Sequence, residues 1–312
     1  MELTPGMQSA LQPQGPHADA VATLGWIMFG GGAAVLGIVV LLAAYSLWGA
    51  PGHRAWMARN RFIVWGGIAF PAVVLLALFV YSLFVSRSVV AGTEPVDLRI
   101  EVIGHQWWWR VNYLDRHGEL DFATANELRI PAGKRVELVL KSADVIHSFW
   151  VPSLAGKLDM IPGHVNRLRI SASAEGVFRG QCAEYCGGPH AQMAFYVVAQ
   201  SIEAFERWRE SERAPASAPA EGLERGRDLF LARCSVCHAV RGTPAKGTLG
   251  PDLTHVGARA SLGAGILPNN VDNVATWIQS SQQIKPGNLM PSMDIFTGDE
   301  LRALAAYVTS LR

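Results

Sequence analysis

The chain is expected to be a multidomain membrane protein: a two-helix transmembrane hairpin, then an all-β barrel or sandwich, then an all-α domain. Three observations predict this. Two long uncharged apolar stretches lie near the N-terminus, an alternating strand-and-turn pattern follows them, and helical signals follow a Pro/Ala/Ser-rich break. A length of 312 residues suits two or three domains, each able to bury its own core. The net charge of +1 gives no bias towards a nucleic acid or any other polyanion.

The hairpin comes first. Residues 1–20 hold Pro5, Gly6, Pro13, Gly15 and Pro16 and read as an irregular external tail. Val21 to Trp48 and Phe62 to Val85 contain no charged residue, and each exceeds the roughly 20 apolar residues that a spanning helix needs. This sets a hairpin over 21–88. The loop between the stretches carries His53, Arg54, Arg59 and Arg61, whereas residues 1–53 hold no Lys or Arg. The bias of basic residues puts that loop in the cytoplasm, with both termini and all that follows on the outer, periplasmic face of the cell membrane. A signal peptide is the rival reading of the first stretch; the apolar run is long for one, and a basic leader is missing.

Residues 89–210 are expected to form the β domain. Val96 to Val102 alternates apolar and polar side chains, and Arg135 to Lys141 does much the same. Glu127 to Ile130, Asn166 to Ile170 and Phe195 to Val198 add short strands, with turns at Pro131-Ala-Gly133 and Ile161-Pro-Gly163. Ile202 to Arg209 reads as a closing helix. Residues 211–221, with Pro215 and Pro219, read as a linker. Residues 222–312 form the α domain, with helices expected over Leu223 to Arg233, Val271 to Gln279 and Leu301 to Leu311, the last opened by Thr297-Gly-Asp-Glu300.

The chain has four cysteines, and both pairs sit in ligand-like spacings. One run is Cys182-Ala-Glu-Tyr-Cys186-Gly-Gly-Pro-His190-Ala-Gln-Met193. Two thiolates, an imidazole and a thioether within one loop form a soft donor set that suits copper. A mononuclear blue-copper site needs one Cys; two in one loop can bridge two ions and then call for a further nitrogen. His147, in Asp144-Val-Ile-His147-Ser-Phe-Trp150, is the candidate. A disulfide, a redox dithiol and a zinc site are the competing readings of the cysteine pair; Met193 is a poor zinc ligand. The other run, Cys234-Ser-Val-Cys237-His238, is the attachment signature of a c-type haem: two thioethers from the cysteines and an axial bond from His238. The sixth ligand is expected from Met290 in Lys285-Pro-Gly-Asn-Leu-Met290-Pro291, with Met293 as the fallback.

From about residue 20 to 210 the chain resembles subunit II of the haem–copper cytochrome c oxidases. Gly104-His-Gln-Trp107-Trp-Trp109, Asp144-Val-Ile-His147-Ser, Ile161-Pro-Gly163 and the Cys182 to Met193 loop carry the resemblance. It implies a cupredoxin-like barrel with a dinuclear copper centre, called CuA. Cys182 and Cys186 would bridge both ions, His147 and His190 would each bind one, and Met193 and the Glu184 carbonyl would be the weak axial ligands. The Glu184 carboxylate would bind a magnesium ion shared with the catalytic subunit I. Trp107 would lie where electrons enter; on residues alone, the three tryptophans read as core and interfacial packing. Many relatives carry a Glu three residues before a Trp at the start of the second helix. Here Phe62 precedes Trp65, so a proton-uptake role does not carry over.

Residues 222–312 resemble class I c-type cytochromes, in which Met followed by Pro carries the axial bond. Gly250-Pro251 resembles the loop whose proline carbonyl orients the proximal His. His255 is expected at the surface or against a haem propionate. Together the two resemblances imply a subunit II with a fused cytochrome c domain, as in caa3-type oxidases. Electrons would run from external cytochrome c or another reduced donor through haem c and CuA to haem in subunit I. There, with subunit III alongside, O2 would be reduced and protons pumped. A CuA-dependent nitric oxide reductase subunit and a copper-delivery protein are the alternatives. The latter would carry Pro after its second Cys, where this chain has Gly187.

Overall fold

The computed structural model describes residues 7–90 and 95–312, with the side chains of 88–90 left aside. The chain forms two units, one of residues 19–94 and the other of residues 1–18 with 95–312.

The smaller unit is helical. Its first helix belongs to Pro16–Trp48, which starts earlier than the residue 21 expected from charge alone. Pro16 suits a first helical position, because the N–H that it lacks would have had no partner there. The second apolar segment runs as Asn60–Val64, a π turn over Trp65–Ala69, and Phe70–Val90. The π turn has a local cause. Pro71 would clash with a carbonyl four residues back in a regular helix, and the wider turn, with Phe70 N–H donating to Trp65 O, relieves it. Pro16–Trp48 and Asn60–Arg87 are both long and apolar enough to cross a membrane. Their large side chains, among them Trp26, Phe29, Leu36, Leu75 and Phe79, are exposed within the chain.

The larger unit begins with ten strands: β1 Leu98–His105, β2 Trp108–Leu114, β3 Leu120–Ala125, β4 Glu127–Pro131, β5 Val136–Ser142, β6 His147–Trp150, β7 Leu158–Met160, β8 Asn166–Ile170, β9 Gly176–Cys182 and β10 Ala194–Gln200. They form two sheets, ordered β3-β2-β1-β5-β8 and β4-β10-β9-β6-β7. The β1–β5 and β4–β10 pairs are parallel and the other pairs antiparallel. Along β1 every second residue is buried, as the alternation in sequence requires. Trp109, Phe149 and Phe195 meet in the core with ring centroids 4.6–6.0 Å apart. Burying each phenylalanine stabilises by roughly 1.5–3 kcal/mol.

Strands β3, β7 and β9 escaped the reading of the sequence. Residues 7–15 lack regular structure, as expected, yet they run along the sandwich: Gln14 N–H donates to Ser153 O at 2.7 Å, and Ser173 N–H to Gln14 O at 2.8 Å. The closing helix extends over Ile202–Arg213, past the expected Arg209 and into the expected linker. Ion pairs from Arg209 and Arg213 to Asp121 hold it against β3.

The C-terminal region contains helices Glu224–Arg233, Val271–Ile284 and Gly298–Ser310, packed around Phe230, Ile278, Leu304 and Tyr307. The first and last cross closely: a side chain at Gly226 would meet Ala303 O at 2.1 Å. Thr297 and Glu300 form the expected capping box.

Candidate functional site: a cysteine loop and a haem-attachment motif

The loop Cys182 to Met193 leaves β9 and re-enters at β10. Its base is closed by Cys182 N–H donating to Met193 O at 2.8 Å, which continues the ladder of the two strands. Cys182 Sγ and Cys186 Sγ lie 3.7 Å apart. That is far beyond the S–S bond of about 2.05 Å, so both are free thiols. The carbonyl of Glu184 lies 3.2 Å from Cys182 Sγ, His190 Nδ1 3.4 Å from Cys186 Sγ, and Met193 Sδ 3.8 Å from Cys186 Sγ. Strand β6 brings His147 to this loop from thirty-five positions earlier, with Nδ1 at 3.8 Å from Cys182 Sγ. His147, Cys182 and Cys186 are all buried, and their donor atoms lie within 4.8 Å of one another.

Asp144 completes the site, although the reading of the sequence gave it no role. Its carboxylate sits 2.7 Å from His147 Nε2 and fixes the ring with Nδ1 facing the sulfurs. Burial opposes ionisation of Asp144, but hydrogen bonds from His147 and from the Gln106 and Val145 N–H groups hold its carboxyl below the usual range. The hydrogen bond from Cys186 pulls Cys182 down to about 3 against burial, and the same contact pushes Cys186 up. A pair of free thiols flanked by two imidazoles, a thioether and a carbonyl fits a soft metal centre.

Trp107 occupies the turn between β1 and β2. Its indole N–H donates to Cys186 O at 2.9 Å, and Gln106 Nε2 donates to the same carbonyl at 2.7 Å. Trp107 is 9% exposed, because the C-terminal region covers its ring. Trp108 stacks on His105 and has the Arg110 guanidinium 5.2 Å from its ring centroid, whereas Trp109 is wholly buried in the core. The Glu184 carboxylate is half-exposed, 3.6 Å from Lys157 Nζ.

In the C-terminal region the Cys234-to-His238 motif follows directly on helix Glu224–Arg233. His238 Nδ1 donates to Pro251 O at 2.8 Å, which leaves Nε2 free for an axial bond. Burial lowers the His238 pKa despite that hydrogen bond, keeping the ring in its neutral, ligating form. A side chain at Gly250 would meet the His238 ring at 2.6 Å, so only glycine lets the loop cradle it. Burial raises the Cys234 thiol to about 11. Met290 and Met293 both pack on the domain core. The backbone of Met290 is also pinned, its carbonyl accepting from Ser281 Oγ at 2.8 Å and Gln282 Nε2 at 2.7 Å. His255 is not a surface residue. It is buried, with Nε2 3.0 Å from Ala214 O, because the end of the closing helix packs over it.

Residues 98–202 match the family model of the cytochrome c oxidase subunit II periplasmic domain, and residues 223–312 match that of cytochrome c. The chain is 36% identical over 248 residues to cytochrome c oxidase subunit 2 of Alkalihalophilus pseudofirmus, covering 77% of this chain and 70% of that protein. The chain belongs to the cytochrome c oxidase subunit 2 family. The Bacillus subtilis cytochrome c oxidase subunit 2 is 31% identical over 274 residues, covering 81% of this chain and 75% of the relative. A solved periplasmic domain of subunit II of cytochrome oxidase from Bradyrhizobium japonicum is 31% identical. It covers 39% of this chain and 97% of that one, with a TM-score of 0.37.

The chain therefore has the electron-transfer role of a cytochrome c oxidase subunit II, with a cytochrome c domain at its C-terminus. The expected fold class is borne out: two apolar helices, a cupredoxin-like sandwich and a helical cytochrome domain. The two family domains imply copper and haem c, and the two apolar helices fit a membrane-anchored subunit.

Proposed function

We propose that this chain takes electrons from an external reduced donor and passes them to subunit I, using a covalent haem c and a dinuclear CuA centre. The observation that carries this reading is the geometry of the cysteine loop. Two free thiols 3.7 Å apart are flanked on opposite sides by His147 and His190. Cys182, Cys186, His147, His190, Met193 and the Glu184 carbonyl would hold the copper. Bound there, copper would supply one-electron acceptance and release.

The chain's own residues keep that site stiff. Asp144 fixes the His147 ring, Trp107 and Gln106 clamp the Cys186 carbonyl, and the Cys182–Met193 bond closes the loop. A rigid donor set changes little when an electron arrives, so reorganisation costs little. In the cytochrome domain Cys234 and Cys237 would hold haem covalently, and His238 and Met290 would offer ligands to its iron. The Glu184 carboxylate would offer oxygen to a magnesium ion at the subunit I interface. We place the β and cytochrome domains on the outer face, the subunit beside subunits I and III, and the complex in the caa3 class that couples O2 reduction to proton translocation.

The test is an optical and electron paramagnetic resonance spectrum of the purified oxidase. The expected result is the hyperfine pattern of one electron shared by two copper nuclei beside a low-spin c-type haem. Cys186→Ser should abolish the copper pattern and leave the haem spectrum intact. A single-nucleus copper pattern, or oxygen turnover that survives Cys186→Ser, overturns the reading.

A further inference from the structure

Lys285 is 2% exposed and lies at the C-terminal end of helix Val271–Ile284. Its ammonium donates to Trp107 O at 2.6 Å, Gln192 O at 2.8 Å and Gly263 O at 2.9 Å. An ammonium has three donors and no acceptor, so these carbonyls saturate it. Two of the three belong to the β domain: Trp107, whose side chain clamps Cys186, and Gln192, which lies in the cysteine loop next to Met193. Two residues beyond Lys285, a side chain at Gly287 would come within 3.5 Å of the Trp107 ring. The same loop ends at Met290, and Asn288 ties its parts together, donating to Lys285 O at 2.7 Å and accepting from Met290 N–H at 2.8 Å. One short loop therefore joins the shell of the cysteine site to the axial residue proposed for the haem.

We propose that Lys285 is a positioning residue for electron transfer between the two centres, holding the cytochrome domain in one docked pose over Trp107 and the cysteine loop. The proposal rests on the functional reading above and adds to it the device that sets the interdomain geometry. Other contacts join the domains as well. Arg110 donates to Thr248 O at 2.6 Å, Ala194 N–H to Ala264 O at 3.0 Å and Ala260 N–H to Glu127 Oε2 at 2.9 Å. Lys285 differs from these in what a slip would do. A shift of the domain by an ångström leaves a desolvated ammonium with unmatched protons and two buried carbonyls without donors, which is costly. A buried charge of this kind selects one arrangement more than it adds affinity. With the Trp107 ring covered, an external donor meets the cytochrome domain and not the tryptophan.

The experiment follows haem-to-copper electron transfer in the purified oxidase after flash reduction of the haem. Lys285→Met keeps the chain length and removes all three donors. The rate should fall about tenfold, equivalent to about 1.4 kcal/mol in the population of the docked pose, while the optical and paramagnetic spectra of both centres stay as in the wild type. Lys285→Gln, which keeps a donor, should fall between the two. An unchanged rate in Lys285→Met with both spectra intact overturns the proposal. A second measurement serves if the variants do not assemble. A protease site is placed at the exposed Ser217–Ala218 linker of the otherwise native chain, and the rate is read after cleavage. A retained, dilution-independent rate supports a fixed docked pose; a rate that becomes bimolecular refutes it. Absence of the copper or haem signal in the wild type would count against the functional reading, not against the pin.

Discussion

Gly104→Ala tests whether the β-sandwich itself sets the geometry of the cysteine site. Gly104 is buried in β1, and a Cβ placed there would lie 2.7 Å from His147 Cδ2, 2.9 Å from Cγ and 3.2 Å from Cβ. Ordinary contact begins at 3.4 Å, so the ring or the strand must give by at least about 0.7 Å. Little around it can yield. His147 Nε2 is tied to Asp144, Trp109 packs beside the ring, and β6 is paired with both β7 and β9. Overpacking of this kind costs about 1–3 kcal/mol. A ligand displaced by that much also exceeds the roughly 0.5 Å within which a functional constellation must be held. The variant should bind less copper and show a disturbed hyperfine pattern, with a lower melting temperature in calorimetry. Its c-type haem spectrum, which arises in a separate domain, should not change. If Gly104→Ala kept native copper content, hyperfine pattern and melting temperature, His147 would not be the ligand that β1 presses into place.

Two further outcomes follow from the local chemistry. His105 is held down to about 4, first by burial and then by Arg110, with Asp144 acting in the opposite sense; its Nε2 has no hydrogen-bond partner. Above 6.5 the ring is neutral whether the chain is folded or not. Between 6.5 and about 4 only the unfolded chain takes the proton, so stability falls as the pH drops through that window. Denaturation midpoints across that window should flatten in His105→Gln; equal slopes would remove His105 from the explanation. Thr297→Ala removes the hydroxyl that accepts from Glu300 N–H and should cost about 1 kcal/mol in denaturant unfolding of the haem-bearing domain. No loss would mean that the capping box adds nothing there.

How much was legible depended on how local the signal was. Cys182, Cys186, His190 and Met193 fall in one loop, so their donor chemistry stood out without a fold. The same holds for Cys234, Cys237 and His238. Strand β1 showed itself through strict alternation, because one face is buried and the other is not. Strand β9 did not: Gly176-Val-Phe-Arg-Gly-Gln-Cys182 carries Gly180 against the Phe195 ring, and glycines blur a period of two. The helix over Pro16–Trp48 began earlier than expected because charge marks where an apolar run ends, not where a helix starts.

Sequence alone picked out the soft-donor loop, the Cys234-to-His238 motif and the order of helical, β and helical regions, because each is written in residue chemistry or periodicity over a few turns of chain. Only the tertiary structure decided that His147 faces Cys182, that Asp144 orients it, and that Lys285 is buried rather than solvated. The physical reason is reach. Hydrogen bonds and ligand contacts form between atoms a few ångströms apart, and for these residues that proximity exists only after the sandwich closes and the cytochrome domain seats on it.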